Sequence, residues 1–287
     1  MKEGIAGKAI YRKDYKAYPW DVEHLDLHFD IDVETTRVRA RMTFRQKDTG
    51  VLAQNIVLNG SELELVSITL NGRKLTGNDY QVEGEELTIF AAPPSSVIET
   101  EVSIHPSANS AFEGLYLTGD FLLTQCEAQG FRKITWFPDR PDVMTTYKVT
   151  LEADKSDFPV LLSNGNQTDV GESPDGRHWA CWQDPFPKPS YLFALVAGDL
   201  ALVEDRFSTR SGREVALKIY VEAENIDRCD HAMESLINAM RWDEQRFNLE
   251  YDLDIYHIVA TNDFNMGAME NKSLNIFNSK YVLARPD

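Results

Sequence analysis

His24-Leu25-Asp26-Leu27-His28-Phe29-Asp30-Ile31-Asp32-Val33 carries an apolar residue at every second position. Period-two alternation sends successive side chains to opposite faces of a pleated strand, apolar toward a core and polar toward water. The rhythm returns at 36–44, with Val38, Ala40, Met42 and Phe44 expected inside and Arg37, Arg39 and Arg41 outside. Working outward, further strands are expected at 65–70, 86–90, 97–104, 146–153, 160–163, 178–182 and 191–196. Asn71-Gly72 sits between two apolar runs, at 65–70 and 74–75, and reads as a tight hairpin turn. No helix of ordinary length is expected before residue 200. Many short strands between regular turns imply a β-sandwich or saddle of packed sheets.

The texture changes near Gly198-Asp199. A strand is expected at 214–221, then a helix over 225–251 with Asn225 as its N-cap. Its apolar face would hold Cys229, Met233, Leu236, Ile237, Met240 and Phe247, which recur at three- and four-residue spacing. Strands at 254–260 and 273–277 follow. The fold class is therefore mainly β, an all-β domain at 1–199 followed by the start of an α+β domain at 200–287.

The composition, 43% hydrophobic and 26% charged, is that of a globular chain able to bury a core without disulfides. Its three cysteines, Cys126, Cys181 and Cys229, are far apart and form no C-x-x-C pair, which reads as reduced thiols in the cytoplasm. Residues 1–8 hold no apolar run, so neither signal peptide nor anchor is expected. A net charge of −17 argues against nucleic acid and an anionic membrane face, and is compatible with a cationic substrate such as a peptide amine.

Two motifs bear on chemistry. His24 and His28 have the H-x-x-x-H spacing of a zinc helix, but the local period is two and no Glu follows His24. On a strand, residues four apart lie ~13 Å from each other, too far to share a metal whose nitrogen bonds are ~2.0–2.1 Å. No metal site is expected there, nor from His105, His178, His231 or His257. The second motif is Asn265-Met266-Gly267-Ala268-Met269-Glu270-Asn271-Lys272. Read physically, it is an edge strand ending in a carboxylate. An extended peptide can add to such an edge through main-chain hydrogen bonds. Gly267 permits close backbone approach. Glu270 can take an ammonium group in a charge-assisted bond of roughly 1.5–3 kcal/mol.

The run Gly267-Ala268-Met269-Glu270-Asn271 resembles the GAMEN signature of zinc aminopeptidases of the aminopeptidase N type. Thr124-Gln125-Cys126-Glu127-Ala128 resembles that family's other signature, about 140 residues upstream. The segment Trp182-Gln183-Asp184-Pro185-Phe186-Pro187-Lys188-Pro189 and the run to Asp199 look like its domain-closing strand. The resemblance covers essentially the whole chain and is nearest the bacterial branch. It implies a catalytic domain of thermolysin type after residue 200. It also implies that Glu127 and Glu270 share the amine of a peptide with a free N-terminus. Gln125, Met266, Gly267, Ala268, Met269 and Asn271 would complete the substrate-binding set, with Met266 and Met269 lining a side-chain pocket and Asn271 shaping the loop. The implied cofactor is zinc, held by a His-Glu-x-x-His helix that follows GAMEN in the family and has no counterpart before Asp287. The intact enzyme would remove N-terminal residues from peptides. This chain would supply substrate recognition, hold no catalytic residue and no metal, be inactive alone, and self-associate through surface left uncovered. The sequence departs from many relatives at Phe131-Arg132 and at Phe137-Pro138-Asp139-Arg140-Pro141-Asp142, which affects the turn beside Glu127. Alternatives are an epoxide hydrolase doubling as an aminopeptidase, a relative without zinc ligands acting as a scaffold, and a free-standing β-sandwich binding module.

Overall fold

A computed structural model describes residues 11–47 and 54–285. The reading of residues 1–8 lies outside them. The opening stretch is a strand, Trp20–Asp30, whose Leu25, Leu27 and Phe29 are buried. It pairs antiparallel with Thr36–Gln46, where Val38, Ala40, Met42 and Phe44 are buried and the intervening arginines exposed. On its other side it pairs in parallel with Thr145–Asp154. These three lie within an eight-stranded sheet. Its order is Asn166–Glu172, Arg177–Lys188, Thr145–Asp154, Trp20–Asp30, Thr36–Gln46, Ser95–Ile104, Glu64–Leu70, Arg73–Lys74. The outer face of this sheet is a lattice of ion pairs, with Arg41 reaching Glu99 at 3.6 Å and Arg45 reaching Glu23 at 2.8 Å. Solvent screens such pairs, so the buried apolar face carries the stability.

Asn71 and Gly72 both take positive φ, +52° and +78°, and join Glu64–Leu70 to Arg73–Lys74 as expected of a two-residue hairpin turn. A four-stranded sheet packs under the large one, in the order Val160–Ser163, Leu195–Gly198, Phe121–Gln125, Gly114–Thr118. A three-stranded sheet, Gln54–Asn59, Glu86–Ala92 and Tyr80–Glu83, completes this part.

The strand expected at 191–196 is corrected. Ser190–Leu192 is a 3-10 turn and the strand is Leu195–Gly198. The Asn164 side chain explains the delay. It accepts from Ala194 N at 2.7 Å and donates to Leu192 O at 3.2 Å, occupying backbone groups that a ladder would need.

From residue 201 the chain builds a five-stranded sheet in the order Ala201–Ser208, Glu214–Val221, Ile255–Thr261, Leu274–Asn278, Ala268–Met269. Its three central strands are parallel, with the helix Asp230–Phe247 as the crossover between the first two. Val215, Leu217, Ile219 and Val221 face that helix and meet Cys229, Met233, Leu236 and Met240. The opposite face, through Tyr220, Val259, Met269, Leu274 and Ile276, joins the large core of the preceding sheets.

Two helix expectations are corrected. Asn225 is not the N-cap. It is buried in a 3-10 turn, Ala223–Arg228, and its Oδ1 accepts from Arg228 at 2.9 Å. Phe247 is not on the buried face. It is 54% exposed and meets Trp242 edge-on with ring centroids 5.1 Å apart. The helix has ended there: Asn248 turns left-handed at φ +57° and closes it.

Candidate functional site

Gln125 ends the central strand Phe121–Gln125, which is buried at all five positions. Its Nε2 donates to Glu127 O at 3.3 Å and contacts Met269 Sδ at 3.6 Å. That second contact spans 144 residues of chain and joins the four-stranded sheet to the edge of the five-stranded one. Glu127 follows Gln125 by two residues and Glu270 follows Met269 by one. Both are exposed. Among the described residues, neither carboxylate has a hydrogen-bond or ion-pair partner.

Ala268–Met269 is the outermost strand of its sheet, paired antiparallel with Leu274–Asn278. Its other side pairs with no strand among the described residues. Gly267 is exposed, and a Cβ placed there would meet only the Tyr281 ring at 3.7 Å, an ordinary contact. The segment before it is held by Asn278, whose backbone N donates to Gly267 O at 3.0 Å and whose Nδ2 donates to Phe264 O at 2.9 Å. Met266 is 39% exposed and Met269 fully buried, so Met266 offers a surface and Met269 packs in the core. Asn271 is buried.

The turn after Glu270 is fastened chiefly by Asn164, Gly165, Asp252 and Ser273, which the sequence alone does not single out. Asn164 Nδ2 donates to Lys272 O at 2.9 Å, and Gly165 N donates to Ser273 Oγ at 2.6 Å. Lys272 bridges to Asp252 at 2.8 Å and lies over the Phe186 ring at 3.9 Å. Ser273 takes φ +63° and its carbonyl accepts from His257 N at 2.8 Å. The Asn164-Gly165 pair, a turn dipeptide, was the available signal.

The segment 131–142 anchors the Glu127 side. Asp139 is buried and accepts from Arg132 N at 3.1 Å, Arg132 Nε at 3.2 Å and Ser190 Oγ at 2.6 Å. Arg140 forks onto Asp142 at 2.8 Å and donates to Lys16 O at 2.7 Å. Phe131 sits among Phe137, Tyr147 and Phe193. These residues therefore form a packed knot behind the turn. Cys126, between Gln125 and Glu127, is fully buried, and burial, reinforced by the Asp139 charge, pushes its thiol well above the usual range. It is a packing residue and no nucleophile.

His24 and His28 lie on the strand Trp20–Asp30, as expected. His24 pairs with Thr146 Oγ1 at 2.8 Å and Asp26 at 3.2 Å, and His28 with Glu152 at 3.2 Å. His257 is buried between the edges of Trp182 and Tyr220, and burial, aided by the Lys218 charge, pulls its pKa down to about 3. Among the described residues, no three His, Cys, Asp or Glu side chains converge on a point that could hold a metal. The zinc that the GAMEN resemblance implies therefore finds no ligand set in these residues. No helix among them is long and apolar enough to cross a membrane.

The Peptidase M1 N-terminal domain family matches residues 21–192, and the Peptidase family M1 domain matches residues 231–287. The chain belongs to the M1 peptidase family. Among M1 peptidases it is 53% identical over 279 residues to Aminopeptidase N of Caulobacter vibrioides, covering 97% of this chain and 32% of that protein. It is 53% identical over 280 residues to Aminopeptidase N of Escherichia coli, covering 98% and 32%. A crystal structure of Legionella pneumophila aminopeptidase A in complex with aspartic acid superposes with a TM-score of 0.90 at 37% identity, covering 96% of this chain and 32% of that one. The chain thus spans about a third of the length of the curated relatives it matches.

Proposed function

We propose that the intact protein is a zinc-dependent, cytoplasmic M1 aminopeptidase and that this chain supplies its grip on the substrate amine. Residues 1–199 would form the domain bearing Gln125 and Glu127. Residues 200–287 would begin the catalytic domain and bear the open edge at Ala268–Met269 together with Glu270. The zinc ligands and general base would come from outside this chain, so the chain alone would not hydrolyse peptides. The observation that carries the reading is the Gln125–Met269 contact, which brings the segments of two unengaged, exposed carboxylates together from different sheets. An ammonium placed between two such carboxylates is attracted by both, whereas an acylated amine offers no charge. An extended peptide lying along Ala268–Met269 would use main-chain bonds that do not depend on its sequence. The aminopeptidase names of the relatives and the amino acid bound to the solved neighbour support this reading. Trp242, Phe247 and Leu249, all more than half exposed, form an apolar patch through which the chain alone is expected to self-associate, measurable by sedimentation.

The test is kinetic. In the intact enzyme, Glu127→Gln and Glu270→Gln should each lower kcat/KM on free-amine peptides by about 10-fold or more, with thermal unfolding little changed. Unaltered kinetics in folded variants would make both carboxylates plain surface residues.

A further inference from the structure

We propose that the buried side of the segment bearing Glu270 contains an internal water site built by Asn271 and Gln125, and that Asn271 acts through it as a positioning residue for Glu270. Burial alternates along the segment: Ala268 and Glu270 are exposed, Met269 and Asn271 buried. Met269 marks what the buried side faces, since its sulfur touches Gln125 Nε2. Asn271 lies two residues further on that buried side, just past the strand and at the start of the turn to Leu274. Both amide atoms of Asn271 are buried without a hydrogen-bond partner among the described residues, and so is Gln125 Oε1. Buried polar atoms are nearly always paired with protein or with ordered water. These three are one donor and two acceptors, a set that shared water can satisfy. A water can accept from Asn271 Nδ2 while donating to Gln125 Oε1, and a second can donate to Asn271 Oδ1. Internal waters typically make about three such bonds and are costly to remove.

The placement gives the site a task. The Asn271 carbonyl accepts from Leu274 N at 3.0 Å and closes the turn that Asn164, Gly165 and Asp252 hold from outside. The water side is the remaining attachment, and it ties the turn to the strand that leads into Glu127. Asn271 would thus set the spacing of the two carboxylates without touching substrate, a role that rests on the amine-anchor reading.

Two measurements test this. A crystal structure of the intact protein that resolves ordered water should show at least one within ~3.2 Å of an Asn271 amide atom and of Gln125 Oε1. A dry interface overturns the proposal. In the intact enzyme, Asn271→Leu, similar in volume but unable to hold water, should raise KM for an amino-acid anilide by about 10-fold while kcat stays within about 2-fold. Asn271→Ser, which keeps a hydroxyl and leaves room for water, should recover most of the loss. An unchanged KM in Asn271→Leu overturns the positioning role. Should that variant fail to fold, Asn271→Ser and the crystal structure still decide. Should the intact protein turn over no anilide at all, the amine-anchor reading fails, and the crystal structure alone decides the water site.

Discussion

Glu270 and Asn271 are neighbours with opposite surroundings: among the described residues, one carboxylate is exposed without a partner and one amide is buried without one. Sequence reading identifies Glu270 because its chemistry is local: a carboxylate at the end of a strand. It does not reveal how deeply Asn271 is buried, because the residues packed against its neighbours Met269, Lys272 and Ser273 lie more than a hundred positions earlier in the chain. The same limit applies to His257, an ordinary strand residue in sequence that the fold encloses between Trp182 and Tyr220. Its folded pKa of about 3 lies below the ordinary 6.5, so the unfolded chain binds the extra proton between those values. Stability from this residue is complete above pH 6.5 and is lost as pH falls toward about 3, at up to ~1.4 kcal/mol per pH unit. His257→Leu is expected to flatten the acid side of the unfolding-temperature profile relative to the native chain. Parallel profiles over pH 4–6 would show that the imidazole does not contribute.

Among the elements, those legible in sequence bury one face. Trp20–Asp30, Thr36–Gln46, Glu214–Val221 and the Asn71-Gly72 turn declare themselves by period or by turn chemistry. Phe121–Gln125 and Gly114–Thr118 carry no period-two signal because their residues are buried on both faces, so no alternation survives. Asn166–Glu172 is silent in sequence for the converse reason, being largely exposed along an edge. The start of the helix is hidden in sequence because Asn225 looks like a cap while a 3-10 turn intervenes. Docking between elements is set by close approach. Gly165 has φ +91°, and a Cβ there would fall 2.1 Å from Gln183 O. Gly165→Ala is therefore expected to cost about 2–4 kcal/mol, from left-handed strain plus backbone overlap, and to release Ser273. Gly176→Ala, at φ +90° with nothing within 4 Å, is the control and should cost only ~1–2 kcal/mol. Equal losses in thermal or denaturant unfolding would show that Gly165 is not a contact point between the sheets.

For the whole molecule, the central feature is that the two signatures meet. The sheet holding Glu127 and the sheet holding Glu270 share one apolar core through Met269, Leu274 and Ile276. The carboxylates stand at the rim of that shared core. The metal chemistry of the family has no matching ligand set among the described residues. Metal analysis of the purified chain is accordingly expected to find no stoichiometric zinc, and about one tightly held zinc per chain would refute that. The most direct test of the account is a crystal structure of the intact protein with a free amino acid bound. The account predicts the amine nitrogen within ~3 Å of both the Glu127 and Glu270 carboxylates. An amine bound elsewhere, or carboxylates more than ~12 Å apart in that complex, beyond the reach of one ammonium, would contradict it.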